Sequence, residues 1–210
     1  MDLTFPLLQL RDQRKIFHSE ADFQFALAWE IQKYYPEAKI RLEYCPAEIE
    51  PSMYIDILVI MNELWYPIEL KYKTLKGIKE YNGEIFKLKN HGAQDLGRYD
   101  YLLDIMRIER LSKTITVFGK GYAILLTNDP AYWFDTPRRD TVYHEFRLND
   151  GVVKTGEMKW ADHVGVGTSK GRSSLIILDG SYIMQWNDYC QLDDRRSGTF
   201  RYLISTIEKA

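Results

Sequence analysis

A single carboxylate inside an otherwise apolar strand constrains this chain more than any other feature. The segment Met53-Tyr54-Ile55-Asp56-Ile57-Leu58-Val59-Ile60-Met61 is followed, after the short link Asn62-Glu63-Leu64, by Tyr66-Pro67-Ile68-Glu69-Leu70-Lys71-Tyr72-Lys73. Burying an ionised Asp among Ile, Leu and Val is costly unless a cation or a metal ion offsets its charge. In the second segment, alternation puts Glu69 and Lys71 on one face and Ile68, Leu70 and Tyr72 on the other. A hairpin of the two segments therefore lets Asp56, Glu69 and Lys71 converge. Two carboxylates on adjacent strands suit a hard divalent ion, Mg2+ with Mn2+ as a substitute, and a lysine beside them suits a water or a phosphoryl group gaining charge. The chemistry so indicated is phosphodiester hydrolysis.

The flanking segments predict how that hairpin is framed. Ser19 is an N-cap followed by Asp22 at the third helical position, and Phe23, Leu27, Ile31 and Tyr34 recur at helical spacing up to Pro36. A first strand is expected over 39–45, a second over 53–61 and a third over 66–73. The charged run 76–89 reads as a surface excursion, and a second helix is expected from His91 to about Leu111 with Leu96, Tyr99, Leu103 and Met106 as its buried stripe. Gly119-Lys120-Gly121 is a turn before a strand over 122–126. Helix, three strands, helix and strand describe an α/β fold, a mixed sheet with helices packed against it and at least one crossover.

With 210 residues, the chain is expected to form a single domain whose core covers 15–130. The region 131–210 reads as a β-rich C-terminal elaboration, with strands over 174–178, 182–186 and 200–207, that completes or caps the sheet. A formal net charge of -2 provides no global field to attract nucleic acid, so such binding has to use local patches or metal ions. Two distant cysteines, Cys45 and Cys190, fit a reducing, cytoplasmic compartment. The apolar stretch from Leu3 to Leu10 lacks the flanks of a signal peptide and the length of a membrane span. The histidines at 18, 91, 144 and 163 show no zinc spacing. The glycine-rich run from Gly165 to Ser173 lacks the order of a Walker loop, although Lys170 and Arg172 within it, like Arg195, Arg196 and Arg201, are suited to a nucleic-acid backbone.

Glu20 at a helix start, Asp56 in the second strand, Glu69-Leu70-Lys71 in the third and Gln94 on the next helix together resemble the PD-(D/E)XK nuclease superfamily, the restriction-endonuclease-like fold. The resemblance covers roughly 15–130 and includes the order of elements. It implies a Mg2+-dependent nuclease in which Asp56 and Glu69 hold the metal, Glu20 completes its shell, Lys71 serves the attacking water and Gln94 orients the site. Ile55 stands where the motif's name has proline. Gln94 resembles the start of a Gln-x-x-x-Tyr signature, but position 98 is Arg and the tyrosine is Tyr99. Arg98, one helical turn past Gln94, is then expected to meet the scissile phosphate. Glu43 in the first strand competes with Glu20 as the accessory carboxylate.

Each residue also has a plainer reading. Glu-x-Lys alone is what a half-exposed strand shows, acids gather at helix N-termini through the macrodipole, and polar residues are common in first helical turns. It is Asp56 that tips the balance. The resulting expectation is a nuclease acting on nucleic acid, DNA first. A homodimer is expected where both strands are cut symmetrically. The alternative is a non-catalytic nucleic-acid- or protein-binding module on the same fold, working with a partner subunit that supplies targeting.

Overall fold

The computed structural model describes residues 1–47, 49, 51–136, 138 and 140–209. Two helices begin the chain, α1 (Thr4–Gln13) and α2 (Glu20–Tyr34). Ser19 caps α2 as its sequence predicts, its side chain accepting from the Asp22 amide. Asp22 in turn takes both guanidinium nitrogens of Arg14 at 2.9 Å, which ties the linker between the helices to the first turn of α2.

The hairpin framed by the lone Asp forms. Strand β1 (Lys39–Tyr44) pairs antiparallel with β2 (Ile55–Met61), which pairs antiparallel with β3 (Leu64–Lys73). Asn62 and Glu63 make the turn with φ of 51° and 63°, the left-handed pair that matches the twist of a two-residue hairpin. The excursion after β3 is itself a hairpin, β4 (Gly77–Tyr81) and β5 (Glu84–Leu88), turned by Asn82 and Gly83 at positive φ. Helix α3 (Gln94–Thr114) then crosses to β6 (Lys120–Thr127), which lies parallel to β3.

The C-terminal third resolves into two parts. Strand β7 (Val153–Met158), which periodicity did not reveal, pairs with β8 (Ile176–Ile183) in a separate two-stranded sheet. The strands β9 (Trp186–Gln191) and β10 (Thr199–Glu208) join the main sheet, whose order among the described residues is β1-β2-β3-β6-β10-β9. The strand expected over 182–186 is instead the end of β8, a break at Met184 and Gln185, and the start of β9. Met184 exchanges backbone hydrogen bonds with Gly151 and Val152, so the break is imposed from outside the segment.

Helices α1 and α2 cover one face of the sheet, where Phe17, Phe23 and Leu27 form one core cluster with Ile57, Val59, Leu70 and Tyr72 of the strands. The other face packs against α3 through Leu58, Ala123, Leu125 and Leu203, with Tyr101, Leu102, Ile105 and Ile108 from the helix. Gly97 is required in α3, since a Cβ there would lie 2.1 Å from the Tyr132 hydroxyl. No helix among the described residues is long and apolar enough to cross a membrane.

Candidate active site

The β2–β3 ladder runs from Met61 opposite Leu64 to Ile57 opposite Ile68 and stops there, while β3 continues to Lys73 with β6 on its other side. The amides of β3 beyond that point need other partners. The Asp56 carboxylate takes the Leu70 amide at 2.6 Å, and the Glu20 carboxylate, reaching from the first turn of α2, takes the Tyr72 amide at 2.7 Å. Two acids therefore stand side by side on one strand edge, at amides about 7 Å apart by strand geometry. Glu43 is turned to α2 instead, where its Oε1 accepts from Gln24, whose amide also donates to the Asp56 carbonyl. Of the two competing accessory acids, Glu20 is the one placed on the edge that holds Asp56.

Glu69 and Lys71 project from β3 toward α3, as alternation predicts. There they meet Asp104, whose Oδ2 lies 2.6 Å from the Lys71 ammonium. Lys71 also donates to the Leu70 carbonyl at 3.1 Å. Arg107 stands 3.7 Å from the other oxygen of Asp104. Glu69 is 2% exposed, and its Oε1 is buried with no hydrogen-bond partner.

The electrostatics follow from that crowding. Burial, opposed by Lys71, pushes the Asp56 carboxyl up to about 6. Burial, then the charges of Asp104 and Asp56, raise Glu69 well above the usual carboxylate range. Asp104 is raised by burial as well, against the pull of Lys71. Burial alone would lower the Lys71 ammonium, but Asp104, Glu69 and Asp56 together raise it, so it stays protonated. Three carboxylates thus share two cations in a desolvated space.

That surplus is what a divalent cation would relieve. Asp56 and Glu69 supply hard oxygen donors, and the orphaned Glu69 oxygen is a donor without a partner, so the residues fit Mg2+, which binds through one or two carboxylates and keeps several waters. Among the described residues, no group of three or more His, Cys, Asp or Glu side chains is gathered closely enough to hold an ion. Glu20 is thus near the pair without closing a three-acid cage.

The other expected site residues lie elsewhere. Gln94, the first residue of α3, donates to Asp129 after β6 at 2.8 Å and not to the β2–β3 cluster. Arg98 is 5% exposed and bound to the Ala131 carbonyl, with its guanidinium over the rings of Tyr132 and Tyr143, which removes it from a scissile phosphate at Asp56. Arg172 is held by Asp100 at 2.6 and 2.9 Å, leaving Lys170, which is exposed, as the freer cation of the glycine-rich run. Asp104 and Gln24 are not among the residues that the sequence pattern singles out. Asp104 carried a signal, because it sits between Tyr101 and Ile108 on the buried stripe of α3, where a charged residue breaks the helical pattern.

Comparison with family models, curated proteins and solved structures returns no match for this chain.

Proposed function

We propose that this chain is a Mg2+-dependent nuclease acting on DNA, with Mn2+ as an alternative ion. The observation that carries the reading is the buried, partnerless Glu69 oxygen beside Asp56, in a buried cluster whose carboxylates outnumber its cations. The topology supports it: antiparallel β1, β2 and β3, followed by α3 and a parallel β6, have the element order of the restriction-endonuclease-like core that the sequence resembles.

Asp56 and Glu69 would hold the ion, with Glu20 beside them through its anchor at the Tyr72 amide. When bound, the ion would polarise the phosphodiester and offset the negative charge of its transition state. Lys71 is kept protonated by its acidic neighbours, so its role is to donate, either to the attacking water or to a phosphoryl oxygen, and not to accept a proton. Asp104 positions Lys71. Gln94 acts at a distance, by fixing the start of α3 to Asp129.

Incubating the purified protein with single- and double-stranded DNA and with RNA, in Mg2+, Mn2+ or EDTA, tests the reading. DNA cleavage that needs the ion, together with calorimetric Mn2+ binding lost in Asp56→Asn, is the expected outcome. Failure to cleave any of these substrates and to bind either ion refutes it.

A further inference from the structure

Three arginines line a pocket between the start of α3 and the segment after β6. The pocket has a volume of about 320 Å³, and Arg98, Arg147, Arg196, Asn149, Tyr143 and Phe134 are among its walls. Arg98 and Arg147 are 5% and 8% exposed, and the Nε of each is buried with no hydrogen-bond partner. Neutral groups hold them: the Ala131 carbonyl and two tyrosine rings for Arg98, the Arg138 carbonyl and the Thr141 hydroxyl for Arg147. The acids in reach compensate poorly. Asp135, itself in the pocket wall, stands 3.7 Å from Arg147 with its side chain 57% exposed, and Asp129, already bonded to Gln94, and Asp95 act on Arg98 only at longer range.

Buried cations short of negative charge are costly, and guanidinium forks match phosphate oxygens in bidentate geometry. Arg196 is exposed and adds a third positive charge. Phe134, at 65% exposure, offers an open ring face against which a base can stack. We propose that this pocket binds the phosphate monoester of a nucleotide, with the phosphate among Arg98, Arg147 and Arg196 and the base on Phe134. None of these residues belongs to the Asp56 cluster, so the pocket stands or falls independently of cleavage there. The monoester can belong to a free mononucleotide or to the end of a nucleic-acid strand.

Titration calorimetry on the full chain without divalent ions separates the outcomes, using dAMP, deoxyadenosine and octadeoxyadenylate with or without a 5′-phosphate. The phosphate should strengthen binding by about tenfold or more. Arg196→Glu, an exposed site whose folding is checked by circular dichroism, should abolish that gain, and Arg147→Lys should reduce it by removing the fork while keeping the charge. Tighter binding of the phosphorylated octamer than of dAMP identifies a strand end as the ligand; equal or weaker binding identifies the free nucleotide. Binding that ignores the phosphate in both ligand pairs, or that is unchanged in Arg196→Glu, overturns the proposal.

Discussion

Asp104 and Glu109 lie on the same helix and are both nearly inaccessible, at 3% and 4% exposure, yet their charges are settled in different ways. Glu109 accepts from the Asp179 amide, the Gly180 amide and the Tyr182 hydroxyl, at 3.0, 2.8 and 2.7 Å. Neutral donors close its charge locally and fasten β8 to α3. Asp104 instead shares Lys71 and Arg107 with Asp56 and Glu69, and Glu69 keeps an oxygen with no donor. A buried acid is thus scaffold when hydrogen bonds complete it. Where neighbouring acids leave negative charge over, desolvated charge of one sign has to be offset from outside or neutralised by protons.

The sharpest way to break this contrast is to neutralise both sites. Asp56→Asn and Glu69→Gln should each lower ion-dependent cleavage by about 10³-fold or more, near 4 kcal/mol of transition-state stabilisation, while leaving the melting temperature unchanged or higher. A drop in stability with cleavage intact would reverse the roles assigned to the two clusters. Glu109→Ala should do the opposite, costing about 3 kcal/mol in urea unfolding by stranding the donors of β8, with no recovery in Mg2+ and with cleavage per folded molecule preserved.

Acidity sharpens the comparison further. The Asp56 carboxyl is raised from 3.8 to about 6 and Glu69 is raised with it, so between these values the folded chain holds protons that the unfolded chain has lost. Without divalent ions, stability should therefore fall as pH rises from about 4 through 6, by up to about 3 kcal/mol for Asp56. Mg2+ should restore it above pH 6 and have little effect near pH 4, where protons occupy the carboxylates. Urea melts at the two ends of this range, in EDTA and in Mg2+, check this; identical curves would show that the surplus charge is absent.

The smallest effect belongs to the helix that carries Glu20. Ser19→Ala removes the cap on α2 and should cost about 1 kcal/mol, with a modest loss of cleavage as the first turn loosens Glu20 from the Tyr72 amide. Stability loss with cleavage wholly unchanged would show that Glu20 does not act with Asp56.

Much of the frame was legible along the chain. The Ser19 cap, the hydrophobic period of α2, the alternation of β3 and the strong strand before Thr127 each depend on residues a few positions apart. The hairpin of β4 and β5 is not in the sequence reading, which gives 76–89 only as a charged surface excursion, although Asn82-Gly83 is a left-handed turn signal. Strand β7 was less legible, because Lys154 is buried while Val153 is exposed, which inverts the usual pattern. In the site, Asp56, Glu69 and Lys71 lie near enough to act on one another's charge, whereas Gln94 and Arg98 share α3 with Asp104 but bond to the loop after β6.

The sequence by itself determined which residues could share a strand face or a helix turn, because propensity, capping and turn chemistry act over a few neighbouring residues. Only the tertiary structure decided that Lys71 would be claimed by Asp104, that Glu69 would keep an unpaired oxygen, and that Arg98, Arg147 and Arg196 would surround one pocket. Those outcomes turn on Coulomb attraction and on desolvation, and both depend on distance and burial in space, which separation along the chain does not give.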